Sequence, residues 1–389
     1  MGRTLCWVAL LVTCAACSRS VHTDPPASPA QGVAPPRVAA TAPAAGSPVV
    51  GVAAGEAPAV AAGLPIVGPP RTFANLTVFP ILSRTHEDIG PITTLDAALG
   101  AGTAHVHEIG AGTGPNADGA QVNSLVIDNA GSVPVYVLAG TIVKGGKQDR
   151  QIGQDFIVGA HQTVPVDAYC VEHGRWTLSR DGVATAGQFG TIGLLTESRV
   201  RTAAEHDKDQ GEVWAKVAQV NEANKKEAAS GTLLATVDSA DIVAQRAALT
   251  EKVEGYVAEV QPSADVVGFA YAVDGKVRSI RWFVDRKVFL MFEGVLAGTA
   301  AMEAITSQAE TKAGGKPPPP AAPLTQADVT KFVADVQKGA VKETRSTPGL
   351  NDNTMRESKE GYGASTTFKP SAAQPSAPPK PVSTSITSF

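Results

Sequence analysis

The sequence predicts an α+β fold. An antiparallel, sandwich-like β-rich half runs to about residue 180, and a helix–helix–hairpin–helix half follows. Three observations predict it. Short apolar stretches separated by Gly, Asn and Asp clusters fill residues 76–171. Beyond Trp176 the apolar period lengthens to that of a helix. Asp274-Gly275 then joins two apolar runs, which is a strong hairpin signal.

The elements follow in order. Leu76–Leu82 reads as an opening strand, with Pro80 marking an edge or the strand's end. Thr94 caps one helical turn to Leu99. Residues 103–109 and 121–127 are strands on either side of a glycine-rich loop, 110–119. Residues 133–143 form a third strand, which Gly145-Gly146 breaks. Strands over 150–158 and 163–171 complete the β half. Residues 212–228 and a helix capped by Asp238 supply the next two helices, and the hairpin spans 266–284. Asp285 caps a third helix with Phe289, Phe292, Leu296 and Ala300 on one stripe. Residues 325–338 predict a short helix, and the polar segment 341–368 weak strands.

Proline sets the boundaries. Of 28 prolines, eleven lie in 24–70 and eleven in 311–389. Such flanks lack the periodic apolar faces that packing needs. The expected organisation is a leader at 1–17, an Ala/Pro-rich disordered tether at 18–70 and a domain at 71–310. That domain divides into a β-rich part, 71–180, and an α+β part, 181–310. A linker and weakly structured extension follow at 311–368, then a disordered tail at 369–389.

The leader carries Arg3, an apolar run from Leu5 to Val12, and small residues before Cys17. The run is too short to span a bilayer. Two small residues before a cysteine fit a lipoprotein cleavage site, with Cys17 as the lipidated residue. The expected address is the cell envelope, as an exported lipoprotein facing the outer membrane or periplasm, with the membrane as partner through the N-terminal lipid. A plain secretory peptide is the alternative. The chain has 33 basic and 37 acidic residues and no basic run, which argues against a nucleic-acid partner.

The chemistry concentrates between Gly140 and Trp176. This stretch holds Cys170, the one cysteine beyond residue 17. It also holds Lys147, Gln148, Arg150, Glu172, Arg175 and Trp176, the candidate ligand-binding residues. Alternation on a strand puts Cys170 and Glu172 on one face, which makes them the candidate catalytic groups. Cations, carboxylate and thiol in one cleft suit a small anionic ligand, and Trp176 offers a stacking face. A structural reading covers the same residues. Cysteine is among the most buried residue types, and Glu172 is expected to form an ion pair with Arg150, with Arg175 as the second choice. His105 and His107 share a strand face, but no metal or other cofactor is expected. No Walker loop, GxSxG elbow or HExxH occurs.

Gly145-Gly146-Lys147-Gln148-Asp149-Arg150, Val164-Pro165-Val166 and Cys170-Val171-Glu172-His173-Gly174-Arg175-Trp176 together resemble the ARG and rhodanese-phosphatase-superfamily-associated protein domain family. Leu76–Ile81, Gln210–Trp214 and the hairpin around Asp274-Gly275 support the resemblance, which covers about residues 73–310. Its name implies an association with ADP-ribosyl-glycohydrolase-type and rhodanese-phosphatase-type proteins. The expected function is an envelope-anchored binding or structural module organised around 145–176, with an unknown protein or small anionic ligand as partner. The alternative that the resemblance implies is an enzyme acting on an ADP-ribose or nucleotide-derived substrate, with Cys170 or Glu172 as the working group.

Overall fold

The computed structural model describes residues 65–109, 123–180, 182–185, 187–261, 265–314, 323–369 and 378–389. The expected leader, Cys17 and nearly all of the tether lie outside these residues, as does the glycine-rich loop. The chain starts with β1 (Ile66–Val67), β2 (Arg71–Phe73), β3 (Leu76–Leu82), β4 (Thr93–Thr94) and α1 (Leu95–Gly100). Next come β5 (Ala104–Glu108), β6 (Ser124–Asn129), β7 (Val135–Val137), β8 (Thr141–Gly145), β9 (Arg150–Ile152), β10 (Phe156–Val158) and β11 (Gln162–Cys170). A two-stranded ribbon, β12 (Ser179–Arg180) and β13 (Val183–Ala184), precedes β14 (Phe189–Leu195). Four helices follow: α2 (Ser198–Glu205), α3 (Gln210–Ala223), α4 (Leu234–Val237) and α5 (Ala240–Val260). The hairpin β15 (Val266–Val273) and β16 (Lys276–Phe283) leads into α6 (Arg286–Ala313) and α7 (Gln326–Gln337). The chain closes with β17 (Ala340–Ser346), β18 (Asn351–Glu357), β19 (Gly361–Phe368) and β20 (Lys380–Ser388).

The fold is α+β, but strands and helices are interspersed rather than split into two halves. The largest sheet runs β1-β3-β15-β16-β20-β19-β18-β17, with β2 also on β3, and all its pairings are antiparallel. It joins the start of the domain to the end of the chain. The β half is a separate six-stranded sheet, β14-β8-β9-β11-β6-β5, with a small sheet β10-β7-β4 beside it.

Several expectations need correction. Ile66–Val67, placed in the tether, is strand β1. Pro80 is not at an edge: β3 has β15 on one side and, on the other, β2 before the proline and β1 after it. Proline cannot donate to a ladder, and Pro80 falls in the gap between those two short partners, where its carbonyl still accepts from Gly68 N at 2.7 Å. The tail is not disordered throughout, because β20 lies between β16 and β19. Its Ser383, Thr384, Ser385 and Thr387 are buried despite their polarity.

The local signals carried through. Thr94 Oγ1 accepts from Ala97 N at the start of α1, and Asp285 accepts from Lys287 N at the start of α6. Thr325 and Asp328 form a capping box on α7. Ser239, not Asp238, stands at the N-cap of α5, because Asp238 closes α4. The large sheet is covered on both faces. One face packs Leu76, Phe269 and Phe283 with Phe289 and Phe292 of α6, and the other packs Phe79, Ile81 and Ile280 with Val329, Val333 and Val336 of α7. By length and composition α6 could cross a membrane, yet 72% of its most apolar window is buried inside the protein.

Asp155, just before β10, ties the sheets together. Its carboxylate accepts from Tyr136 Oη (2.6 Å), Ala139 N (2.8 Å), Arg281 Nη1 (2.9 Å), Thr366 Oγ1 (3.0 Å) and Ser383 Oγ (3.3 Å). Its backbone oxygen accepts from Asn351 and Asn353. The partners come from β7, β16, β18, β19 and β20. Burial raises the Asp155 pKa, but Arg281 and the other donors outweigh it and hold the carboxyl below its usual range. Replacing Asp155 with alanine leaves Arg281 buried and without this carboxylate. The expected loss is roughly 3–5 kcal/mol, read as a lower urea midpoint. A wild-type midpoint would rule out this role.

Candidate functional site

The site grows from the turn between β8 and β9. Gly145 has φ of +146° and Gly146 of +46°. A Cβ on Gly145 would sit 2.0 Å from the Gln188 carbonyl oxygen, and one on Gly146 would sit 2.2 Å from the Phe189 ring. Only glycine fits both positions. The turn returns the chain as β9, which pairs with β11 so that Arg150 faces Cys170 directly. The β8–β9 turn therefore lies against the end of β11 and the segment 171–180.

Four charged groups close on one another there. Arg175 Nε lies 3.0 Å from both oxygens of Glu172, and its Nη2 lies 2.8 Å from Oε2. Its remaining donors reach the carbonyls of Gly145, Gly146 and Thr177. Arg180 pairs with Asp149 and, at 3.2 Å, with Glu172. Glu172 also accepts from Asp149 N, and Asp149 accepts from Gly145 N and Thr232 Oγ1. Burial pushes the Asp149 carboxyl up, with the Arg180 hydrogen bond opposing it. The set is two acids and two arginines, largely buried and mutually paired. Gln148 Nε2 donates to His173 O, and Gln210 accepts from Cys170 N and donates to Cys170 O. Gln210 thus extends the β11 ladder with a side chain.

The partner of Glu172 is consequently Arg175, the second choice, rather than Arg150. Arg150 is fully buried, and its Nη2 lies 3.8 Å from Oε1 of Glu108. No sequence motif marks Glu108, which ends a strand whose outward residues are His105 and His107. Alternation puts Glu108 on the buried face with Val106. Its Oε1 also accepts from Lys147 N at 2.9 Å, while its Oε2 is buried with no hydrogen-bond partner among the described residues.

Cys170 is 0% exposed, and burial pushes its thiol up to about 11, with Arg150 opposing and Glu108 reinforcing the shift. The thiol is protonated at neutral pH, the opposite of what a nucleophile needs. His105 and His107 are both exposed, and no group of three or more metal-ligating side chains occurs among the described residues.

Trp176 is 42% exposed. Lys147 Nζ lies 5.3 Å and Arg150 Cζ 5.7 Å from its ring centroid, within cation–π range. Leu178 and Val183, on and beside the small ribbon, are exposed as well. The structure therefore separates the six candidate ligand-binding residues. Gln148, Arg150, Glu172 and Arg175 are buried, and Lys147 and Trp176 face outward.

An α+β domain built on a Gly-Gly turn, with a paired acid–arginine cluster beneath an exposed tryptophan, is the class of protein defined here. The chain belongs to the ARG and Rhodanese-Phosphatase-superfamily-associated Protein domain family, which it matches over residues 66–377. No curated protein and no solved structure shows a match to it.

Replacing Glu172 with glutamine leaves Arg175 and Arg180 facing a neutral amide. Stability should fall by roughly 3 kcal/mol, the low end for a broken buried pair because Arg175 keeps its carbonyl acceptors. Denaturant unfolding measures it. A midpoint equal to wild type would show that the carboxylate is not held for stability.

Proposed function

We propose that the chain is an envelope-anchored binding module whose contact face is Trp176 with Lys147, and that it takes a planar, anionic ligand. The observation that carries this reading is the division of the 145–176 stretch into a buried, charge-paired lock and an outward cation–aromatic pair. An anion meets Lys147, and a flat ring system meets Trp176, whose area makes it an effective contact residue. The family's name associates it with ADP-ribosyl-glycohydrolase-type proteins, which makes ADP-ribose the natural first probe. The enzymatic alternative loses support, because Cys170 is enclosed and protonated and Glu172 is committed to two arginines.

The reading is tested by titrating the full chain with ADP-ribose while following tryptophan emission. The expected result is saturable quenching that a Lys147→Ala variant weakens about tenfold, the equivalent of about 1.4 kcal/mol. No change in emission with millimolar ADP-ribose, AMP or phosphate would sink it.

Anchoring rests on the apolar run Leu5–Val12 and the small residues before Cys17. Replacing Cys17 with serine should move the protein from the membrane fraction to the soluble fraction. Retention of the variant in membranes would contradict a lipid on Cys17.

A further inference from the structure

Two buried acids fasten α2 to α6. Glu197 stands at the N-cap of α2, but its side chain caps nothing there, and Glu303 lies on α6. They are only 4% and 6% exposed. Glu303 does the capping instead, because its Oε2 accepts from Ser198 N at 3.1 Å. It also accepts from Ser198 Oγ and, at 2.8 Å, from Tyr271 Oη of β15. Glu197 meets the next turn on the same face of α6, where Thr306 Oγ1 donates to its Oε1. Asn224, at the end of α3, donates to that hydroxyl in turn at 3.1 Å.

The charges around the two acids do not balance. Arg199 Nε lies 3.3 Å from Glu197, but Nη1 of the same guanidinium lies 2.6 Å from Glu310, farther along α6. Arg278 of β16 comes no closer to Glu303 than 3.8 Å. Arg201 turns away to Ser279, Thr387 and the Thr196 carbonyl. Tyr271 stays neutral, since burial and the Glu303 carboxylate push its hydroxyl well up. Among the described residues, three carboxyls thus share two arginines. Glu303, with three donors, is the better seat for a negative charge, and a second carboxylate beside it in the interior is costly. Burial accordingly pushes the Glu197 carboxyl up to about 7, with Arg199 opposing and Glu303 reinforcing the shift.

We propose that Glu197 is a pH-sensitive latch, which holds the start of α2 on α6 while it carries a proton and loosens that contact when it loses it. The proton removes the repulsion from Glu303 and frees Arg199 to serve Glu310. The sign follows from the folded chain raising this carboxyl above its ordinary 4.5. Its contribution to stability is fully present below about 4.5 and is lost as the pH rises to about 7. The latch shares no residue with the Trp176 face and does not depend on that reading.

The test compares the full chain with its Glu197→Gln variant, whose amide stands in for the protonated acid, by urea unfolding at pH 5 and pH 8. The unfolding equilibrium constant of wild type relative to the variant should rise at least about tenfold between the two pH values. The same ratio at both overturns the proposal, as does a variant that is unfolded at pH 5 where wild type is folded. Hydrogen exchange on wild type alone gives the second measurement. After correction for intrinsic rates, the amides of residues 198–205 should be at least about tenfold less protected at pH 8 than at pH 5, relative to those of α5. Equal relative protection at the two pH values overturns the latch.

Discussion

The structure depends first on a buried carboxylate. Asp155 draws donors from strands as far as 228 residues away from it in sequence. It does so where water is excluded, and each donor it satisfies would otherwise be a costly orphan. Arg281 needs Asp155 as much as Asp155 needs Arg281, since either alone would be an unpaired buried charge. The large sheet and the small sheet carrying β7 and β10 are therefore fastened by polar chemistry as well as by apolar packing. Arg201 makes a second fastening of the same kind, from α2 to Ser279 of β16 and Thr387 of β20.

The signature stretch works on a related principle. A glycine pair lets the chain reverse in a space that no Cβ could share. The reversal leaves backbone carbonyls pointing inward, and Arg175 satisfies them with the same guanidinium that holds Glu172. One arginine thus fixes a turn, a strand end and a carboxylate. The planar fork suits this task, and a lysine could not reproduce it. Glu172 and Arg175 are tied into the turn by these contacts, while Lys147 and Trp176 lie on its outer side.

The acidic and basic groups of the molecule sort themselves by depth. In the interior they are satisfied by several fixed partners, as at Asp155 and Glu172. On the surface between β11 and β17, Asp167 and Glu343 meet Arg345 and Lys208 and remain half-exposed. The two cases differ in energy: breaking a buried, multiply bonded pair is costly, whereas a half-exposed pair contributes little net stability.

The sequence by itself determined the local elements: the Thr94 and Asp285 caps, the Asp274-Gly275 hairpin, the apolar stripe of α6 and the Gly-Gly turn. Each is set by interactions within a few residues, and those are written contiguously. It also located the stretch that holds Glu172, Arg175 and Trp176. Only the tertiary structure decided that β3 pairs with β15, that Glu172 meets Arg175 and Arg150 approaches Glu108, and that the Ser/Thr-rich end of the chain is a buried strand. Lys380–Ser388 looks like a solvated tail because its side chains are polar. It becomes a strand because Asp155 and Arg201, more than 170 residues earlier, supply partners for Ser383 and Thr387. Satisfaction of polar groups is a property of the folded interior, so a polar strand stays illegible until its partners are known.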